Sequence, residues 1–317
     1  MIATVTANPC IDKTVEVEKF DLYKMNRVQI LREDVSGKGI NVSYALSNLG
    51  QETICLGFDF TEGVSILKET LKQKGIQYDV VNIKGKLRTC TKIFDRSLKH
   101  TIEINEYGNA VTSSEEDALL QKIVCRAKEC DIITLSGSLP KGMSSDFYYN
   151  CIKKIKETAP NCKICLDAEK EVFLKALKAS PYFIKPNIYE FQEAFGCEIH
   201  SIEELNAKSQ EVIRLYNLAL ICVSLGKDGA YITDGKEAYF AESLKVEVRS
   251  IQGAGDSMVA GICMALQENV KLIDILRYGL AAASASIQLE GTQFCSREEF
   301  LNMLSREYCI KSIAVET

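Results

Sequence analysis

The stretch Gln252-Gly253-Ala254-Gly255-Asp256-Ser257-Met258 sets two glycines and a carboxylate just ahead of an apolar run that continues to Leu266. The glycines permit a tight, open turn, and the run after them predicts a buried helix. Unpaired amides at such a helix start, together with the positive end of its macrodipole, favour an anion, most often a phosphate. Asp256 falls inside that pocket. A carboxylate there either takes a proton at the ligand's edge, as a general base in phosphoryl transfer does, or caps the helix; spacing alone leaves both readings open.

Four other stretches carry residues of chemical interest. A strand-like opening, 2–6, runs into the polar turn Ala7-Asn8-Pro9-Cys10-Ile11-Asp12, so Asp12 is a candidate for binding hydroxyls or a plain turn aspartate. Ser36-Gly37-Lys38-Gly39-Ile40-Asn41 is a second glycine loop leading into a helical pattern. It is not a Walker A loop, because Gly39 stands where Ser or Thr is needed, and Met258 replaces the third glycine of a dinucleotide fingerprint. In Lys185-Pro186-Asn187-Ile188-Tyr189-Glu190 the spacing of Asn187 and Glu190 suits water-coordinated Mg²⁺ or, equally simply, a helix capping box. Ser224-Leu225-Gly226-Lys227-Asp228-Gly229 closes a strand with a glycine-flanked hairpin, able to hold nucleotide phosphates or to be an ordinary turn.

Composition narrows the class. The chain has 317 residues, 46% hydrophobic and 26% charged, with a net charge of −5, so nothing in it offers the broad basic face that nucleic acid or an anionic membrane requires. Its 13 cysteines are an odd number without regular spacing, which suits reduced thiols better than a disulfide framework. Cys162 and Cys165 form a C-x-x-C, but in a strand an odd offset sends the two to opposite faces. The opening residues lack a signal-peptide pattern and no stretch is apolar enough to span a bilayer, so a cytoplasmic location is expected.

Around these loops the chain alternates strand and helix patterns. Strands are expected at 53–57, 78–83, 131–136, 163–167, 183–185 and 218–224, and helices at 63–74, 114–128, 145–157, 169–178 and, as the last long one, 272–289. Repeated βα units call for a mostly parallel sheet covered on both faces, with ligands at the carboxyl ends of its strands. Two stretches break the rhythm with short alternating strands, at 14–35 and at 88–105. They predict one small antiparallel sheet assembled from both, placed over the larger body as a lid.

Taken together, Thr6-Ala7-Asn8-Pro9 with Asp12, Gly37-Lys38-Gly39-x-Asn41, Ser136-Gly137-Ser138-Leu139-Pro140, Lys185-Pro186-Asn187-x-x-Glu190, Ser224-Leu225-Gly226-x-x-Gly229 and Gly253-Ala254-Gly255-Asp256 occur in the order found in the ribokinase-like (PfkB) carbohydrate kinases. Each motif alone is weak; six in sequence across nearly the whole chain are specific. The resemblance implies an α/β fold, a ribokinase-like αβα sandwich over 1–11, 37–84 and 109–317, with a β-sheet lid from 12–36 and 85–108. It implies ATP, Mg²⁺ and a sugar hydroxyl as acceptor. Asp256 would be the base, with the amides of Gly253, Ala254 and Gly255 as anion hole; Asp12, Gly37 and Asn41 would hold sugar hydroxyls. Lys185, Asn187, Ser224, Gly226 and Gly229 would serve the nucleotide, Asn187 and Glu190 the metal through water. Asn26-Arg27-Val28 with Lys38 and Arg88 is similar to the phosphohexose branch, the 1-phosphofructokinases and tagatose-6-phosphate kinases, in which cations meet a phosphate already on the sugar. Val259-Ala260-Gly261 is closer to the former, hence fructose 1-phosphate; a non-catalytic phosphosugar sensor is the reading from another class. Ser36 and Ser250 depart from the family pattern, where glycine and aspartate are common, and the loop at 57–63 looks shorter. A small lid with open edges predicts a homodimer packed lid to lid.

Overall fold

In the computed structural model, which describes residues 1–60 and 65–315, the chain begins with strand β1 (Ile2–Thr6) and passes at once into a hairpin, β2 (Cys10–Val17) and β3 (Gln29–Ser36). Helix α1 (Lys38–Asn48), β4 (Thr53–Phe60), α2 (Ile66–Gln73) and β5 (Gln77–Ile83) follow, and then a second hairpin, β6 (Arg88–Asp95) and β7 (His100–Asn105). The βα rhythm resumes with α3 (Ser113–Ala127), β8 (Ile132–Ser136), α4 (Phe147–Thr158), β9 (Lys163–Asp167), α5 (Lys170–Leu177), β10 (Phe183–Ile184), α6 (Ile188–Phe195), α7 (Ile202–Tyr216) and β11 (Leu220–Ser224). It ends with β12 (Ala230–Thr233), β13 (Ala238–Ala241), α8 (Ala254–Gln267), α9 (Leu272–Ser286), α10 (Arg297–Leu304) and β14 (Ile310–Ser312).

Ten strands form one sheet in the order β14-β13-β12-β11-β10-β9-β8-β1-β4-β5, and its run from β11 to β5 is parallel. Every residue of β1 is buried, as a central strand covered on both faces must be. One apolar layer gathers side chains from α1, α2, α8, α9 and α10, the other from α3 to α7. Alternation along the strands feeds both: Ile132 faces the first layer and Ile133 the second, and Cys165 and Cys162 part in the same way, both thiols free. The αβα sandwich is therefore the fold.

The second sheet has the order β3-β2-β6-β7. Its two hairpins are antiparallel, as expected, but they are joined through a parallel pair, β2 with β6, in the register Asp12↔Cys90. Several sequence expectations move. The strand after the first turn begins at Cys10, so Asp12 lies on β2 and not in the turn before it. The last long helix, expected at 272–289, ends at Ser286, and the short α10 and β14 follow it. Strand β4 runs on to Phe60 because the pairing with β5 continues that far. Of the helix expected at 63–74, α2 accounts for the part from Ile66, and 61–64, with the end of the loop at 57–63, lie outside the described residues.

Small side chains near the end of α9 let α8 come close. A Cβ on Gly261 of α8 would sit 2.4 Å from the carbonyl oxygen of Tyr278 and 3.1 Å from Cβ of Ala282, so α8 and α9 touch backbone to backbone there. The contact holds α8 against α9, and the start of α8 carries Asp256.

Candidate active site

Helix α8 starts at Gly253, held at φ 73, and no side chain caps it. All its residues from Asp256 to Leu266 are buried, so hydrophobic packing seats a helix whose amino end has no side-chain cap among the described residues and only one long backbone contact, Ala254 N to Ile251 O at 3.4 Å. Asp256 lies in this first turn and accepts a hydrogen bond from Asn41 Nδ2 at 2.8 Å. The Asn41 amide is oriented by a second bond, Ser36 Oγ to Asn41 Oδ1 at 3.1 Å, which turns its donor toward the carboxylate. Ser36, a departure from the family's glycine, thus acts on Asp256 through Asn41.

Helix α1 brings Asn41 there. Its start is capped from another element: Ile40 N donates to Thr6 Oγ1 at 2.8 Å, tying α1 to the carboxyl end of β1. Gly39 permits the approach, because a Cβ there would fall 2.4 Å from the carbonyl oxygen of Val5. Gly37, with φ 138, makes the preceding turn.

Charges gather on the same side. Lys38 Nζ reaches Asp167 Oδ1 at 3.3 Å, Glu169 Oε1 at 3.4 Å and Glu190 Oε1 at 3.9 Å. Burial works against the Lys38 ammonium, but Asp167, Glu169, Glu190 and Asp256 outweigh it and hold its pKa well above the usual value. Burial likewise opposes ionisation of Asp167, and Lys38 and Lys185 outweigh it and hold that carboxyl low. Asp256 goes the other way. Burial first and repulsion from Asp167 second push it up to about 6, against the Asn41 bond and the two lysines. Buried Lys185 brings its Nζ to 3.4 Å from where a Gly255 Cβ would stand, beside the open helix end.

The Asn187 and Glu190 pair forms the capping box that the spacing allowed. Asn187 Oδ1 accepts from Glu190 N at 2.9 Å and Glu190 Oε2 from Asn187 N at 2.8 Å, which leaves Glu190 Oε1 facing Lys38. A cleft of about 540 Å³ opens here, lined by Asp167, Glu169, Lys185, Pro186 and Glu190 among others. Ser224 pairs with Asn187 in a single parallel bridge, which sets the turn after β11 beside this cleft. Gly226 takes φ 60 in that turn with open space around it. Gly229 has a structural reason of its own, since a Cβ there would meet the carbonyl oxygen of Ala241 at 1.9 Å.

The small sheet supplies the other side. Asp12 is buried and accepts from Lys92 Nζ at 2.9 Å; Lys92 also donates to Gln252 Oε1 at 3.4 Å, just before the α8 turn. Arg88 donates to the carbonyls of Asn8 and Glu106, both at 3.2 Å, while its Nε is buried without a partner among the described residues. Asn8 in turn donates to Ser138 Oγ at 3.3 Å, so two of the loop motifs meet. Arg27 is exposed between β2 and β3 and makes no hydrogen bond or ion pair among the described residues.

Sequence reasoning missed Lys92, Gln252, Asp167 and Glu169. Lys92 shares a strand face with Arg88 by an even offset, a signal that was available; Asp167 and Glu169 stand at a strand's carboxyl end, where ligands are expected. Nothing in the spacing ties either to its partner, because Lys92 and Gln252 are 160 positions apart and Lys38 and Asp167 are 129 apart.

Residues 5–299 match the family described as pfkB family carbohydrate kinase. The chain is 31% identical to 1-phosphofructokinase of Bacillus subtilis strain 168, over 97% of this chain and 98% of that one. It is also 31% identical to a tagatose-6-phosphate kinase of Staphylococcus epidermidis, over 84% of this chain and 85% of the relative. Phosphofructokinase-2 from Escherichia coli shares the fold, with a TM-score of 0.89 at 24% identity, covering 96% of this chain and 99% of that chain.

Proposed function

The chain belongs to the pfkB family of carbohydrate kinases and is an ATP-dependent sugar kinase, and on that premise we propose that its acceptor is the C6 hydroxyl of fructose 1-phosphate. The observation that carries the reading is Asp256, a buried carboxyl held by Asn41 at an uncapped helix start. With its pKa near 6, the carboxylate is mostly ionised at neutral pH and takes the proton of the attacking hydroxyl. The hydroxyl oxygen bonds to the γ-phosphorus of ATP as the bond to the departing ADP oxygen breaks. The amides of Gly253, Ala254 and Gly255, at the start of α8, are assigned to the charge that develops, and positioning with charge stabilisation supplies most of the acceleration.

Asp167, Glu169 and Glu190 offer hard oxygen donors of the kind Mg²⁺ takes, so the residues fit that ion; Asn187, its oxygen engaged in the capping box, would act through water. Bound there, Mg²⁺ would offset phosphate charge. Ser224, Gly226 and Gly229 are assigned to the nucleotide. Asp12, Gly37 and Asn41 are assigned to the sugar hydroxyls, and Arg88, Arg27 and Lys38 to the phosphate it already bears. The orphaned Nε of Arg88 supports that last assignment, because a buried donor without a protein acceptor is suited to an anion.

Relatives named 1-phosphofructokinase align over nearly the whole chain, and those named tagatose-6-phosphate kinase over less of it, which favours fructose 1-phosphate. ADP release measured with fructose 1-phosphate, tagatose 6-phosphate, fructose 6-phosphate and unphosphorylated sugars tests the choice. Highest kcat/KM on fructose 1-phosphate is expected; preference for tagatose 6-phosphate would replace the assignment. The small sheet, read as a lid over 12–36 and 85–108, is further proposed to pair with a second copy. Leu22, Tyr23 and Met25 in the connection between β2 and β3, and Ile30 and Leu31 on β3, stand exposed.

A further inference from the structure

Strand alternation puts Cys10 and Asp12 on one face of β2, and the parallel register puts Cys90 of β6 directly beside Asp12. All three are buried, and one ligand atom from each lies within 4.8 Å of the others. Cys10 Sγ approaches Asp12 Oδ1 at 3.5 Å. Tetrahedral zinc, with bonds of about 2.3 Å to sulfur and about 2.0–2.2 Å to a carboxylate oxygen, spans a sulfur-to-oxygen edge of about 3.6 Å. The second Asp12 oxygen accepts from Lys92 at 2.9 Å, the kind of outer partner that orients a ligating carboxylate. Buried thiols usually behave as small apolar side chains, but two of them around a buried carboxylate are a donor set.

We propose that Cys10, Asp12 and Cys90 form a binding site for a thiophilic divalent cation of the Zn²⁺ type, competitive with the sugar because both use Asp12. The competition rests on the assignment of Asp12 to the sugar; the metal site does not. Once both thiols are deprotonated, two thiolates and a carboxylate set against the Lys92 ammonium carry a net charge of −2, which a divalent cation balances. As the ion binds, each thiol gives its proton to solvent and two metal–sulfur bonds form, with no change of oxidation state. Three protein ligands leave the fourth position to water, the arrangement of an exchangeable zinc site.

The test uses the full-length enzyme, stripped by a chelator and titrated with Co²⁺. One Co²⁺ per chain with a near-ultraviolet thiolate charge-transfer band is expected, and Zn²⁺ should displace it. Cys10→Ser and Cys90→Ser should each weaken binding by about tenfold or more and diminish the band. The double variant Cys125→Ser/Cys309→Ser, which removes the two exposed thiols, should leave it unchanged. Absence of the band in the wild-type protein overturns the site whether or not the variants fold, and so does its persistence in both Cys10→Ser and Cys90→Ser. Fructose 1-phosphate should lower the apparent Co²⁺ affinity. A normal band indifferent to the sugar would instead overturn the shared use of Asp12, and with it that residue's assignment to the substrate.

Discussion

Burial of Asp256 beside Asp167 ties catalysis and stability to the same carboxyl. With its ionised form as the proposed acceptor, kcat/KM should fall as pH drops through about 6. The stability effect has the opposite sign. With the folded pKa raised from 3.8 to about 6, the native state binds more protons than the unfolded chain in that window. Stability from this group therefore declines as pH rises across it, and the loss persists above. Asp256→Asn keeps the acceptor for Asn41 and removes the charge. Turnover should drop by roughly two to four orders of magnitude, while stability at pH 8 rises on the order of 2 kcal/mol, a few degrees in melting temperature. A variant that melts below the wild-type protein at pH 8 would contradict the electrostatic account; one with near-normal turnover would remove Asp256 from the mechanism. This residue was legible in the sequence because glycines, carboxylate and apolar run are contiguous. Ser36 was visible only as a departure, and its contact with Asn41 supplies the reason.

The elements that hold these side chains were read from period and punctuation, which is why the β8, β9 and β11 strands fell close to their expected places. Sequence pattern alone starts β2 too late, because Asn8-Pro9 has the composition of a longer turn, whereas the chain pairs again at Cys10. Helix α1 carries the most direct test at this scale. Gly39→Ala would drive a methyl against the Val5 carbonyl and lift α1 off β1, costing roughly 1–3 kcal/mol and displacing Asn41. Thermal melts should show the loss, and kcat should fall with it; unchanged kcat would mean that Asn41 does not position Asp256. Strand β6 carries the other. Arg88→Ala should weaken fructose 1-phosphate binding about ten- to a hundredfold, leave the KM for ATP nearly unchanged and abolish the preference over unphosphorylated fructose. Arg88→Lys should recover only part, since Lys lacks the planar fork. Preference retained in Arg88→Ala would shift the phosphate contact to Arg27 and Lys38.

For the whole molecule, a four-stranded sheet whose separate apolar cluster, among the described residues, consists of Val15, Val17 and Ile93 with Phe20 and Ile102 is thin. Association through its exposed apolar side would complete it. Sedimentation at micromolar concentration should show a dimer, and Ile30→Asp should yield a monomer with weaker sugar binding; a fully active wild-type monomer would sink the lid-to-lid arrangement. Sheet membership across the chain was the part least legible in sequence, because β1 lies between β4 and β8, and β2 beside β6, through partners that spacing does not name. That strand order also imposes a timetable on a ribosome. At about 5–20 residues per second, β1 is synthesised roughly 7–26 s before its second neighbour, β8, exists to pair with it, and the hairpin of β2 and β3 waits several seconds for β6. Asp256 comes later still, so a nascent chain carries a fully buried central strand uncovered through much of its synthesis and gains the proposed acceptor carboxylate only near the end. Conditions that slow elongation should therefore reduce the soluble yield of this enzyme more than its equilibrium stability would suggest.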